Sequence, residues 1–488
     1  MIGITSYGAY LPRLRLTRKI IAKAMAWYNP AIFGAAKGEK SVANWDEDAL
    51  TMAVAASYDC MTDRQKKAID AVYLASTSLP FADRLNADIL ATALNVDEEG
   101  VTCSDFTGCT KSATTAAITA YDVISAGRKE NVLVAASDLR KTKMGTNFEM
   151  FLGDGAAAVL FGRDNVIAEI TGSYSMNCDF IDHYKGHDKT IDYTWEERWV
   201  RDEGYGKIIP QAITEYLKES KENIADFAKV IYPCYFGATH RIIGKKLGVD
   251  PEKVQGNMHE VCGDTGSAHP FLMLFAALEA SSPGDKLLLV GFGQGCDVLS
   301  FKVTENIRQF NGPQGLKGAL ASKVEMDNYL KFAKFRDLIV SDLGIRGEVN
   351  NNTSLTTLYR NRKRILGLVG LRCTKCGTPQ YTFTPTCVNP ACRAVGEMEE
   401  YEFASRDAKV LMYTGDMLAP SMDPPAIYGI IDFEGGGRLL ADFTDCTLDD
   451  VRVGLPMNMS FRRRYKDDMR GFSGYFWKAV PATYEKGV

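Results

Sequence analysis

Two groups of residues in this chain of 488 have the types and spacing to do chemistry. The first is one cysteine, Cys109, in the stretch Ser104-Asp-Phe-Thr-Gly-Cys-Thr-Lys-Ser-Ala-Thr-Thr-Ala-Ala117. A glycine precedes it and an Ala/Thr-rich helical pattern follows. A cysteine at a helix start lies beside unpaired backbone N–H groups and the positive end of the helix dipole. Both favour the thiolate, which is the nucleophile. A free cysteine taken at random is more often a small buried core residue, so the rest of the chain has to decide. The second group is Cys373-x-x-Cys376 with Cys387-x-x-x-x-Cys392. Two short-spaced pairs suit a tetrahedral four-cysteine zinc site with each pair forming a knuckle, and Gly377 gives a flexible position after the first. Four thiolates leave no open coordination position, so the expected zinc is structural.

The elements that must position these groups follow from composition and pattern. The length suggests about three domains. A hydrophobic content of 46% with 24% charged residues is that of a soluble globular protein. The net charge of -4 argues against nucleic acid as a partner. No apolar run reaches the ~18 residues that span a bilayer, and the first residues show no secretory pattern. Of the twelve cysteines, eight lie scattered outside the metal-spaced cluster, which fits a reducing cytoplasm and not a disulfide framework.

Ile2–Pro12 reads as a strand and turn, and Leu16–Ile20 opens a helix. Glu39–Asp48 reads as a polar approach to a helix through Ala49–Ala56. The continuously apolar runs Ala71–Ser76 and Asn131–Ser137 alternate with helical patterns at Asp88–Leu94 and from Cys109 to Ala126. Such alternation indicates a sheet covered on both faces. The rhythm repeats from Glu169, with helices at Lys207–Tyr216, His240–Leu247 and Phe271–Ala280 and strands at Val230–Tyr232 and Lys286–Val290. Glycine turns at Gly153–Gly155 and Gly291–Gly295 punctuate the two halves. From Ile307 to Val369 charge and Asn rise, notably at Asn350–Asn352, and Leu358–Leu366 carries a basic cluster read as a solvated helix face. Past the cysteines, short alternating runs at Ala408–Tyr413, Ala426–Asp432, Gly437–Phe443 and Met457–Phe461 predict a small OB-like barrel. The expected domains are 1–165 and 166–306 for the halves, 307–369 for a helical linker, 370–395 for a zinc ribbon and 396–488 for the barrel.

Together these stretches resemble the thiolase superfamily over roughly residues 1 to 305, nearest its 3-hydroxy-3-methylglutaryl-CoA synthase and ketoacyl-ACP synthase III branch. The motifs that carry the likeness are Glu39–Val54, Asp105-Phe-Thr-Gly-Cys109, Gly153-Asp-Gly-Ala156 and Gly291-Phe-Gly293. The segment from Arg360 to Gly377 and the later strands resemble zinc-ribbon/OB-fold proteins that accompany some thiolases as separate subunits. The resemblance implies an α/β five-layer sandwich of two βαβαβαββ halves with the ribbon and barrel appended. It also implies a homodimer, or a complex with another thiolase-type subunit, and an acyl-CoA substrate.

The chemistry implied is acyl transfer to Cys109, then Claisen- or aldol-type C–C bond formation or its reverse. The N–H groups of Cys109 and Gly293 are the implied oxyanion donors. The family's polar partners depart from pattern here. Its glutamate position reads Thr77, its histidine falls at or near Pro233, and its asparagine is Asp264 in Gly263-Asp-Thr265. Asp264, His240, His259 and His269 are the candidate replacements, with Asp264 foremost. The alternative is a non-catalytic or partner-dependent acyl-CoA-binding subunit. A thioester hydrolase is the third reading.

Overall fold

The structure is a computed structural model that describes every residue except 97, 311, 313, 343–353 and 483–488. The run Asn350–Asn352 therefore lies outside the described residues. The chain forms two compact units. One comprises Met1–Ala43, Asp48–Leu90 and Asp97–Ile339, the other Asn44–Glu47, Ala91–Val96 and Val340–Val488. Among the described residues no helix is long and apolar enough to cross a membrane.

A nine-stranded sheet organises the first unit. The first half contributes five strands in the order Thr102–Phe106, Ala71–Ala75, Val132–Asp138, Gly155–Gly162, Gly3–Tyr10. The second half repeats that order from its own edge with Lys229–Ile231, Lys286–Phe292, Gly295–Val303 and Ala168–Asn177. Its missing fifth strand is reduced to one parallel bridge between Val230 and Val254. The halves join through two antiparallel pairs, Gly3 with Glu169 and Ile4 with Ala168.

Strands buried on both faces need apolar residues at every position, and here they have them. Leu287 and Leu289 face a core shared by Ala113, Ala117, Phe271 and Phe275. Leu288 and Val290 face the opposite core, with Ile209 and Ile213. The central helices Ser112–Ser125 and His269–Leu278 thus lie between the two halves, with Ala49–Cys60 and Ile209–Ser220 on the outer faces, giving five layers. The Ala-rich helix sits close because Gly291 lacks a side chain: a Cβ there would lie 2.1 Å from Thr114 Oγ1.

Two expectations change. Glu39–Val42, although its first three residues are polar, is a strand antiparallel to Leu14–Thr17, and its Glu39 and Ser41 N–H groups donate to the carbonyls of Glu260 and Cys262. The segment expected as a linker is divided. Residues up to Ile339 belong to the first unit, where Val324–Met326 pairs in parallel with Leu14–Leu16. Buried Leu316, Met326, Tyr329 and Phe332 anchor it despite its polar composition.

In the second unit, Val369–Cys373 pairs on either side with Pro379–Gln380 and Met398–Glu402. A five-stranded sheet follows, in the order Arg438–Asp442, Ala426–Phe433, Ala408–Asp416, Pro456–Asp467, Phe472–Pro481. The bridge between Phe443 and Ala479 ties its two edges, as barrel closure requires. Gly435–Gly437, all at positive φ, make the hairpin turn between Ala426–Phe433 and Arg438–Asp442.

Candidate active site and metal centre

Cys109 sits in the turn between Thr102–Phe106 and the helix Ser112–Ser125, three residues ahead of the helix proper. Gly108 before it has φ +98°, a conformation that favours glycine. The Cys109 carbonyl accepts from the backbone N–H (3.2 Å) and hydroxyl of Ser112, and the half-buried Sγ lies 3.9 Å from Ser112 Oγ. Lys111, at the helix N-cap, turns away to pair with Asp297 at 3.1 Å. The Asp297 carboxylate also accepts from Thr114, Thr115 and Ser175, so it fastens the nucleophile's helix to the sheet.

Gly293 packs on this turn: a Cβ there would lie 2.9 Å from the backbone nitrogens of Thr110 and Lys111. Thr110 Oγ1 donates to the Phe292 carbonyl at 2.7 Å. The Gly293 N–H, however, donates to Gly295 O at 3.0 Å. The tight turn between Lys286–Phe292 and Gly295–Val303 uses the donor that the resemblance assigned to an oxyanion.

The positions of the family's other polar partners converge on the same region. Thr77 donates through its N–H (2.8 Å) and hydroxyl (3.0 Å) to the buried Asp138 carboxylate, which Ser76, Ser78 and the Ser267 N–H also satisfy. Asp264 accepts from the Gly266 N–H at 2.9 Å through Oδ1. Pro233 and Asp264 line one cavity of about 20 Å³ together with Thr110, Arg140, Tyr205 and Phe292. That volume suits one water-sized group, which needs ~10–15 Å³.

Arg140 is the residue the sequence reading missed. Its side chain is 4% exposed, and its Nε donates to Asp192 at 2.8 Å. Its Nη2 is buried without a hydrogen-bond partner. A buried donor left unpaired costs about 1–3 kcal/mol. Burial works against the charge, but Asp192, Asp264 and Asp138 outweigh it and hold the guanidinium protonated. Nothing in the run Asp138-Leu-Arg-Lys141 marks Arg140 as buried; only the fold does. Tyr205 was missed too. It lies on the π-helical turn Val200–Ile208 and stacks on Phe292 at 4.4 Å between ring centroids. Asp182, which lines the same cavity, pairs with His183 at 2.8 Å.

The candidate histidines are not free bases. His269 accepts from the Thr265 N–H (3.3 Å) at Nδ1, so Nε2 carries the proton and donates to Asn257 O at 3.0 Å. His259 is buried against Arg18 and held neutral, chiefly by burial and then by His269 and Arg18. Burial, then His269, lowers His240 to about 4.

The four sulfurs of Cys373, Cys376, Cys387 and Cys392 lie within 4.8 Å of one another, with Cys373–Cys392 at 3.9 Å and Cys376–Cys387 at 3.5 Å. Tetrahedral Zn–S bonds of ~2.3 Å place sulfurs ~3.8 Å apart, so the donor set fits zinc in chemistry and spacing. The knuckles are made by Gly377 N–H on Cys373 O (2.8 Å) and, across the wider pair, Cys392 N–H on Asn389 O (3.0 Å).

Comparison with known proteins places both parts. Residues 217–303 match the family described as 3-oxoacyl-[acyl-carrier-protein (ACP)] synthase III C terminal. Residues 401–462 match that of the ChsH2 C-terminal OB-fold domain. The hydroxymethylglutaryl-CoA synthase of Methanopyrus kandleri is 30% identical over 314 residues, covering 63% of this chain and 89% of its own. That of Methanobrevibacter smithii is 28% identical over 351 residues, covering 70% and 99%. A crystal structure of HMG-CoA synthase complexed with CoA superposes with a TM-score of 0.62 at 22% identity, over 72% of this chain and 94% of that one. The 3-oxoacyl-[acyl-carrier-protein] synthase III of Aquifex aeolicus gives 0.55 at 19%, over 62% and 100%. The structural likenesses are those of fold.

Proposed function

The chain belongs to the hydroxymethylglutaryl-CoA synthase family and carries a C-terminal OB-fold module, and from that premise we propose that it makes or breaks C–C bonds of acyl-CoA substrates through an acyl-Cys109 intermediate. It is an acyltransferase of the thiolase and hydroxymethylglutaryl-CoA synthase type. The observation that carries the mechanism is the placement of Cys109, partly exposed on a glycine turn at the head of the central helix, with Gly293 and Asp264 of the second half gathered beside that turn. The thiolate attacks the thioester carbonyl, the C–S bond to CoA breaks, and CoA leaves with the proton that Cys109 gave up. Asp264, whose Oδ2 accepts no hydrogen bond among the described residues, is the base for the second acyl group's α-carbon.

Incubation with short acyl-CoAs followed by intact-mass measurement tests this. An adduct that disappears in Cys109→Ala is expected; an adduct that survives it rejects the nucleophile. The partner-dependent acyl-CoA-binding reading draws on Thr77, Pro233 and the occupied Gly293 N–H, and turnover by the purified chain removes it. The four cysteines hold zinc in a structural role, and the assembly is a homodimer, which sedimentation measures.

A further inference from the structure

The helix Tyr329–Phe335 begins with one donor, Tyr329, and is followed at once by another, Arg336. The two stand about two helical turns apart, so both fall on one face. The Tyr329 hydroxyl donates to the Glu149 carboxylate, 3.1 Å from either oxygen. The Arg336 guanidinium pairs with the Asp154 carboxylate. All four side chains are buried. Glu149 and Asp154 flank the stretch Phe151–Gly153, and that stretch pins Asp264. The Asp264 N–H donates to Phe151 O and the Gly153 N–H donates to Asp264 O, both at 2.8 Å. The approach is close: a Cβ on Gly153 would lie 1.8 Å from Cys262 O. Two further bonds tie the stretch down. Lys40 Nζ donates to Glu149 O at 2.6 Å, and the Ala43 N–H donates to Asp154 Oδ2 at 2.7 Å.

We propose that Arg336 and Tyr329 are positioning residues for Asp264, holding through Asp154 and Glu149 the stretch on which its backbone is pinned. The proposal rests on the reading of Asp264 as a base. Neither side chain lines the cavity that Asp264 lines, so both act at one remove. Asp264 Oδ1 is committed to the Gly266 N–H at 2.9 Å, so the place of Oδ2 is set by where the backbone of residue 264 sits. Without the guanidinium, Asp154 is a buried carboxylate that has lost its counter-charge. The adjoining Gly153 shifts with whatever relaxation relieves it, and Asp264 shifts with Gly153. The Cys109 turn is held separately, by Thr110 on Phe292 and by Lys111 on Asp297, so acylation is spared. The helix thus bears on the second half of the reaction and not on the first.

The test reads the two halves apart in the purified chain. Acylation of Cys109 by acetyl-CoA is followed by intact mass. Conversion is then followed as loss of the acetyl mass on adding acetoacetyl-CoA, whose ketone and activated α-carbon let it serve as acceptor or donor. The chains are the wild type, Arg336→Gln, Arg336→Lys, Tyr329→Phe, Asp264→Asn and the R336Q/D264N double variant. Conversion should fall by roughly 100-fold in R336Q, the scale of a ~1 Å misplacement, while acylation changes by less than ~3-fold. R336K returns a cation to Asp154 and should recover most of the loss. Y329F should lose conversion in the same selective way, by less. A structural role would slow both steps and add to the effect of D264N. Positioning does not add, so R336Q/D264N should convert within about 2-fold of D264N alone. Y329F combined with D264N takes the place of that comparison if R336Q does not fold. Conversion at the wild-type rate in a folded R336Q chain overturns the proposal. An impaired D264N chain on which R336Q acts additively overturns this proposal alone, whereas a D264N chain as fast as the wild type overturns the base reading and this proposal with it.

Discussion

The Thr77 hydroxyl donates to Asp138 Oδ1 across 3.0 Å, at the position where the family resemblance calls for a glutamate. Asp138 has no exposure, and its carboxylate accepts from Ser76, Thr77, Ser78 and the Ser267 backbone. A carboxylate at residue 77 would therefore meet another already in place. Thr77→Glu is expected to lower stability through like-charge contact and not to raise activity, whereas Thr77→Glu with Asp138→Asn should recover most of the loss. Thermal melts and turnover of the three chains check this.

The helix behind Cys109 depends on Asp297. With 1% side-chain exposure, this carboxylate holds Lys111, Thr114 and Thr115 of one element and Ser175 of another. Asp297→Ala leaves Lys111 as a buried unpaired charge, and a loss of about 3–5 kcal/mol is expected in urea unfolding. Asp297→Asn should lose less, since its amide oxygen still accepts.

Acid should weaken the first unit through a buried histidine. His240 has its pKa lowered from 6.5 to about 4 by burial, then by His269 and Arg241. Between those values the unfolded chain binds a proton that the folded chain refuses. The contribution of this residue to stability is therefore flat above pH 6.5 and falls by about 3 kcal/mol as the pH drops from 6.5 toward 4. His259, depressed in the same direction, adds to the slope. His240→Gln should flatten part of it in melts taken at successive pH values.

Metal analysis should return about one zinc per chain. Cys373→Ser should lose it. Cys373 is buried at the end of the ribbon strand Val369–Cys373, so its loss should expose the ribbon and barrel to protease before residues 1–339. Chelation should do the same reversibly.

The reading from residues located the paired halves, the central helices and the cysteine cluster because each writes a local pattern: apolar runs, an Ala-rich helix, metal spacing. It placed Cys109 at a helix start, and the structure puts it in the turn just ahead. It could not see that the Gly293 N–H is used by its own hairpin, which depends on the turn's geometry and not on residue type. Arg140 was invisible for a similar reason. Beside Lys141 it looks like surface charge, yet Lys141 pairs with a half-exposed Asp337 while Arg140 is buried on Asp192. The closing strand Phe472–Pro481 went unread because small and polar residues interrupt its alternation.

The repeated strand order divides the candidate chemistry between the halves. Residues before Val166 carry Cys109 and Arg140, and residues after it carry Asp264, Asp297 and Gly293. The polypeptide crosses from one set to the other through the short turn Arg163–Ile167, and the strand after it, Ala168–Asn177, pairs with Gly3–Tyr10 through Glu169 with Gly3 and Ala168 with Ile4. A chain cut at that turn would leave two fragments, each inert alone. Mixing them should restore acylation-dependent turnover only as the sheet re-forms, which makes the return of activity a direct gauge of assembly.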